Sequence, residues 1–131
     1  MKFIGDFHIH SHYSRATSKR LTPEYLKYWA QVKGIKVIGT GDFTHPGWLK
    51  ELKEKLLPAE QGLFKLKDEF KQDNSLQVFS SYQNEVRFLL TTEISNIYKK
   101  YGKVRKVHNL IFVPDFATAE KIQQRLSRIG N

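Results

Sequence analysis

His8 and His10 stand two residues apart at the end of an apolar run, Lys-Phe-Ile-Gly-Asp-Phe-His-Ile over residues 2–9. Alternation along an extended chain turns residues i and i+2 to one side, so both imidazoles could reach one ion. Asp6 lies on the same face two residues earlier, where a carboxylate could bind metal or fix an imidazole tautomer from behind. Alone, the histidine pair is equally compatible with hydrogen-bonded structural residues. A second polar cluster, Gly39-Thr-Gly-Asp-Phe-Thr-His45, follows another apolar run and contains Asp42. Asp42 either caps the next helix or ligates, and its place beside the first cluster favours ligation. Glu93 closes a third run, Phe88-Leu-Leu-Thr-Thr-Glu-Ile, where an acidic residue is either solvent-exposed or ligating. His108 interrupts the apolar stretch Val107–Val113, where an unpaired imidazole would be costly. As a fourth polar residue at a fourth strand, it reads as part of the same site. The chain has no cysteine, which excludes disulfides, thiolate metal sites and cysteine nucleophiles. An ion here must be held by histidine, carboxylate and water, a donor set that suits zinc or manganese better than magnesium alone.

A second group of residues could bind a polyanion. Lys99, Lys100, Lys103, Arg105 and Lys106 put five bases in eight residues, with Tyr98 and Tyr101 interleaved. Bases that grip phosphates beside rings that stack on nucleobases suit a nucleic-acid surface, although a solvated hairpin tip has the same composition. Arg15, Lys19 and Arg20 follow the first histidines and could meet a phosphate close to a metal. The formal charge is +9, and residues 78–131 carry nine basic against four acidic side chains, so more than half of the excess lies there. That balance favours nucleic acid over a neutral partner.

The elements that must position these residues can be read from periodicity and punctuation. Residues 2–9 form a short buried strand, apolar except at Asp6 and His8. Thr22 followed by Pro23 starts a helix whose apolar face is Tyr25, Leu26, Trp29, Ala30 and Val32, and Gly34 ends it. Residues 35–39 form a strand covered on both faces, as in a parallel sheet. Pro46 starts a second helix with Trp48, Leu49, Leu52 and Leu56 at helical spacing. Residues 57–77 are polar and indistinct, with Pro58, Gly62 and Asp73-Asn-Ser75 as breakers. Strands resume near 86–94 and 104–113, joined by the Lys99-Lys-Tyr-Gly102 turn as a hairpin or a closely paired excursion. A last helix covers about 118–129, with Ala119, Ile122, Leu126 and Ile129 on one face. Alternating strands and helices with short crossovers predict an α/β barrel or open sheet, whose sites form at the carboxyl ends of strands.

At 131 residues, with 40% hydrophobic and 27% charged, the chain has the size and composition of one soluble domain with its own core. No signal-peptide pattern and no run of membrane-spanning length is present, which points to the cytoplasm.

The motifs in order are similar to those of the polymerase-and-histidinol-phosphatase (PHP) family. Asp6-Phe-His-Ile-His-Ser11 resembles its first motif, Gly-Thr-Gly-Asp42 its second, Thr-Thr-Glu93 its third, and Val-His108-Asn-Leu the histidine motif after it. Within the family, Tyr13-Ser-Arg-Ala-Thr-Ser-Lys19, Gly-Thr-Gly-Asp-Phe-Thr-His-Pro46, Glu93-Ile-Ser-Asn-Ile-Tyr98 and Val104-Arg-Lys-Val-His108 most resemble the N-terminal part of endonuclease Q enzymes. The resemblance implies a distorted (β/α)7 barrel, of which residues 1–131 are one N-terminal, truncated portion ending before the last barrel strands. It implies two or three divalent ions, zinc or manganese with magnesium possible, held by His8, His10, Asp42, Glu93 and His108, with Glu93 bridging. Many members carry a histidine directly after the second-motif aspartate. Phe43 stands there in this chain, and His45 is the nearest histidine, so His45 joins Asp42 as a candidate ligand. The implied activity is metal-dependent nicking of DNA on the 5′ side of deaminated bases (uracil, hypoxanthine, xanthine) or abasic sites, with no protein nucleophile. The implied nucleic-acid contacts are Arg15, Lys19, Arg20, Lys99, Lys100, Tyr101, Lys103, Arg105 and Lys106. A small-molecule phosphatase of the histidinol-phosphate type, or a non-catalytic nucleic-acid-binding fragment, are the competing readings.

Overall fold

The computed structural model describes residues 1–70 and 85–129. The breakers expected at residues 73–75 lie outside the described residues. Six strands and three α-helices follow in the order β1 (Ile4–Asp6), α1 (Pro23–Lys33), β2 (Ile35–Gly39), α2 (Pro46–Lys55), β3 (Leu56–Pro58), β4 (Phe64–Leu66), β5 (Arg87–Lys100), β6 (Lys103–Val113) and α3 (Phe116–Ile129).

Local chemistry accounts for most boundaries. Thr22 caps α1 by accepting from the Tyr25 amide, Pro23 opens the first turn, and Gly34 closes the helix in the left-handed conformation at φ 71°. Asp115 caps α3, its carboxylate accepting from the Thr118 amide at 2.7 Å. The hairpin between β5 and β6 turns through Tyr101 (φ 52°) and Gly102 (φ 72°), the left-handed pair that a tight two-residue connection requires.

The strands form one mixed sheet in the order β1-β2-β5-β4-β3, with β6 paired to β5. β1, β2 and the start of β5 are mutually parallel, whereas β3, β4 and β6 run antiparallel to their neighbours. The α/β class is as expected from the sequence, and the arrangement is a mixed six-stranded sheet. β3 and β4 occupy a stretch expected to be indistinct. Each is three residues long, too short for a period to show, and the pairing of β3 with β4 and of β4 with β5 supplies what local sequence does not.

The core is built from Leu26 and Ala30 of α1, Ile35 and Ile38 of β2, Trp48, Leu49 and Leu52 of α2, and Phe88 and Leu90 of β5. Phe43 from the second polar cluster and Ala119 of α3 belong to it as well. The expectation of a buried first strand is not met. Phe3 and Ile4 are 55% and 61% exposed, because β1 stands at the sheet edge and pairs with β2 alone among the described strands. Among the described residues, no helix is long and apolar enough to cross a membrane.

Candidate metal centre

Because β1, β2 and β5 run parallel, the chain leaves all three at the same end of the sheet or continues past it there. His8 and His10 follow β1, Asp42 follows β2, and Glu93 lies on β5 just beyond its pairing with β2. The polar clusters therefore share one edge, as the sequence suggested.

Close backbone approach brings them together. A Cβ on Gly41 would sit 2.3 Å from the Ile9 carbonyl oxygen, and one on Gly39 would sit 2.9 Å from that of Phe7. Only glycine lets the histidine segment lie this near the end of β2. Gly41 (φ 66°) and Asp42 (φ 47°) are successive left-handed residues, a conformation that aspartate tolerates better than most side chains. The turn is pinned from both sides. The Trp48 indole donates to the Gly41 and Thr40 carbonyls at 2.9 and 3.2 Å, and the Gly41 amide donates to Thr91 Oγ1 at 2.8 Å.

At the centre stands the Glu93 carboxylate, surrounded by three imidazoles. His8 Nε2 is in close contact with Glu93 Oε2, His10 Nε2 lies 3.3 Å from that same oxygen, and His108 Nδ1 lies 2.8 Å from Oε1. His108 comes from β6, directly opposite Ser95, whose hydroxyl is 2.8 Å from the same ring nitrogen. Contact with His8 first, and the positive potential of His10 and His108 besides, hold the Glu93 carboxyl below the usual glutamate range. One donor atom each from His8, His10 and Glu93 lies within 4.8 Å of the others. The spacing is that of atoms able to share one ion after a small inward adjustment.

Asp42 is placed behind His10. Its Oδ2 accepts from the Ser11 amide, the Ser11 hydroxyl and the Ser14 hydroxyl, each at 2.7 Å. Its Oδ1 lies 3.1 Å from His10 Nδ1. Burial raises the Asp42 carboxyl, but the hydrogen bonds from Ser14, Ser11 and His10 outweigh it and leave the pKa below the usual aspartate value. A carboxylate beside Nδ1 orients the ring so that Nε2 faces Glu93 Oε2 at 3.3 Å, with His8 Nε2 against the same oxygen. Two imidazole nitrogens and a carboxylate converging in this way are a donor set that a divalent ion accepts. The residues present therefore fit such an ion.

The structure does not bring His45 to this group. Its Nδ1 accepts from the Gly47 and Trp48 amides at 3.1 and 3.4 Å, capping α2, and its ring stacks on Tyr13 at 4.3 Å between centroids. Histidine is an unusual cap, and the cap of α2 falls here three residues after Asp42, the residue weighed for that role as the alternative to ligation. Phe43, where many PHP members carry histidine, is fully buried in the core. Asp6 lies next to the cluster, its carboxylate accepting from the His8 amide at 3.3 Å. Ser11 and Ser14 were not singled out from the sequence. Their one available signal is the density of hydroxyls directly after His10.

Of the expected nucleic-acid contacts, Arg15, Lys19 and Arg20 are exposed on the loop between β1 and α1. Lys99, Lys100, Tyr101, Lys103, Arg105 and Lys106 are exposed at the far end of the β5–β6 hairpin.

The α/β sheet thus carries, at its parallel edge, a histidine and carboxylate cluster that could hold a metal ion. No protein-family model matches the chain. It is similar to the lesion-specific endonuclease PfuEndoQ of Pyrococcus furiosus, with 30% identity and a TM-score of 0.65 over 94% of this chain and 25% of that one. A structure of endonuclease Q bound to a 27-mer duplex with an abasic lesion at its active site matches with 31% identity and a TM-score of 0.66, over 92% and 25% of the two chains. An uncharacterized protein of Methanocaldococcus jannaschii is 47% identical over 49 residues, 37% of this chain and 6% of that protein. The likeness to endonuclease Q read from the motifs is thus borne out along nearly the whole chain, and PHP-type motifs are consistent with it. The chain spans about a quarter of the length of the endonuclease Q structures.

Proposed function

We propose that this chain carries part of a metal-dependent DNA endonuclease centre of the endonuclease Q type. It would cut the phosphodiester 5′ of a deaminated base (uracil, hypoxanthine, xanthine) or an abasic site. We read residues 1–131 as a single PHP-like domain contributing the first strands of a distorted (β/α)7 barrel. The observation that carries this reading is the convergence of His8, His10 and Glu93, whose ligand atoms all lie within 4.8 Å of one another at the parallel edge of the sheet.

In this reading His8, His10, Glu93 and His108 would hold two or three divalent ions, zinc or manganese with magnesium possible. Divalent ions there supply Lewis acidity to a phosphodiester and lower the pKa of a nearby water. Asp42 keeps the His10 ring in one tautomer and one orientation. Ser11 and Ser14 hold Asp42 in turn, so a second carboxylate close to Glu93 stays ionised without entering the centre itself. The exposed bases after β1 and on the hairpin suit a polyanionic substrate better than a small phosphate ester. The neighbouring endonuclease bound to an abasic duplex supports the same choice.

The test is strand nicking by the purified 131-residue chain on duplexes carrying one abasic site, deoxyuridine or deoxyinosine. Cleavage 5′ of the lesion that stops with chelator and returns with zinc or manganese is the expected result. Indifference to chelator would sink the metal mechanism, and DNA binding without cleavage would favour a non-catalytic binding fragment.

A further inference from the structure

The hairpin register separates the basic cluster into two faces. In an antiparallel ladder, residues directly opposite each other project to the same side, and successive pairs alternate. Glu93 pairs with Leu110, Ser95 with His108, Ile97 with Lys106, and Lys99 with Val104. These four pairs share the face that carries the metal cluster. Tyr98 pairs with Arg105 and Lys100 with Lys103, so three bases and a tyrosine project from the opposite face.

We propose that Lys106 and Lys99 form a phosphate track that leads a DNA strand along the metal face of the hairpin, and that Lys100, Lys103 and Arg105 lie outside it. This rests on the proposed endonuclease reading and assigns its substrate contacts. A rise of about 3.4 Å per residue sets successive same-face pairs roughly 7 Å apart. Lys106 then stands about one such step beyond His108 and Lys99 about two steps beyond it. That repeat is close to the distance between neighbouring phosphates of an extended strand, so both ammonium groups can engage phosphates while a third lies at Glu93. Their cross-strand partners Ile97 and Val104, and Leu110 opposite Glu93, are 65%, 59% and 42% exposed, giving the track an apolar floor on which unstacked bases can rest. A small anionic substrate has no use for cations at two further steps, and a phosphodiester chain does.

The test compares two double variants of equal charge change in the full chain, Lys99→Gln with Lys106→Gln, and Lys100→Gln with Lys103→Gln. Affinity for a fluorescein-labelled duplex with one abasic site is measured in chelator against rising salt. The expected result is that the metal-face pair lowers the slope of log affinity against log salt by about 1.8, or ~0.9 per phosphate contact. The opposite-face pair should leave that slope nearly unchanged. Circular dichroism of both variants separates lost contacts from lost fold. Equal effects of the two pairs, or a larger effect of the opposite-face pair, would overturn the track while leaving the endonuclease reading intact. A wild-type chain without affinity for DNA would overturn both. Cleavage without metal would overturn the endonuclease mechanism alone.

Discussion

His10 Nδ1 rests 3.1 Å from Asp42 Oδ1, and this contact decides which nitrogen of His10 faces Glu93. Asp42 thereby acts on the centre through His10, and its other oxygen is already filled by Ser11 and Ser14. Asp42→Asn keeps the left-handed backbone tolerable and some of the serine contacts, but weakens the hold on the imidazole proton. Metal affinity is expected to fall about 10- to 100-fold with the amount of metal bound at saturation unchanged. Competition titration against a colorimetric chelator reads both quantities. A drop in saturating metal content would instead make Asp42 a direct ligand.

His45 holds the first turn of α2 and stacks on Tyr13. His45→Ala should cost about 1 kcal/mol for the cap, with up to roughly another 1 kcal/mol for the ring contact. His45→Asn restores a capping oxygen and should recover most of the cap contribution. Metal content should be the same in all three proteins. Urea denaturation and elemental analysis check the pair of statements, and metal loss in a folded His45→Ala protein would contradict them.

Two glycines in the left-handed conformation provide a controlled comparison. A Cβ at Gly34 meets nothing within 4 Å, whereas one at Gly41 meets the Ile9 carbonyl at 2.3 Å. Gly34→Ala should therefore cost only the backbone penalty, about 1–2 kcal/mol, and leave metal binding as it was. Gly41→Ala must also push the Ile9–His10 segment away from β2. It should be the less stable of the two and should bind metal more weakly, measured by thermal melting and metal titration. Equal behaviour of the two variants would contradict the close approach.

Lys55 lies between Glu24 and Glu51, at 2.7 and 3.5 Å, with all three side chains under one-fifth exposed. Burial lowers its pKa, but the hydrogen bond and charge of Glu24, joined by Glu51, more than reverse that and leave it above the ordinary lysine value. A lysine raised in the folded state contributes stability that is complete below its unfolded pKa of about 10.4 and disappears as pH climbs through the higher folded value. Lys55→Met should be less stable near neutrality by roughly 1–3 kcal/mol. The gap should close at strongly alkaline pH. Denaturant midpoints of both proteins across the alkaline range check this, and a constant gap would contradict it.

The legible parts of this molecule are those where chemistry is local. Thr22, Pro23 and Gly34 bound α1 where the sequence placed it, and the apolar run 35–39 became β2 without adjustment. His8, His10, Glu93 and His108 were visible because each is a polar residue interrupting an apolar run, and the structure gathers all four. The features that local sequence does not show depend on partners far along the chain. The Asp42 carboxylate is held by Ser11 and Ser14, 31 and 28 residues away. β1 looked buried because its composition is apolar, yet its place at the sheet edge is set by pairing order. The basic cluster looked continuous in sequence, and only the register of β5 against β6 divides it between two faces.

The most direct test of the central claim is the metal content of the purified chain, stripped with chelator, reloaded with zinc or manganese and freed of excess ion. Wild-type protein should retain divalent metal in stoichiometric amount, and Glu93→Gln and His10→Ala should each lose most of it while keeping the circular dichroism of the parent. A wild-type chain that retains no ion, or a Glu93→Gln variant that retains as much, would contradict the assignment of this cluster as a metal centre.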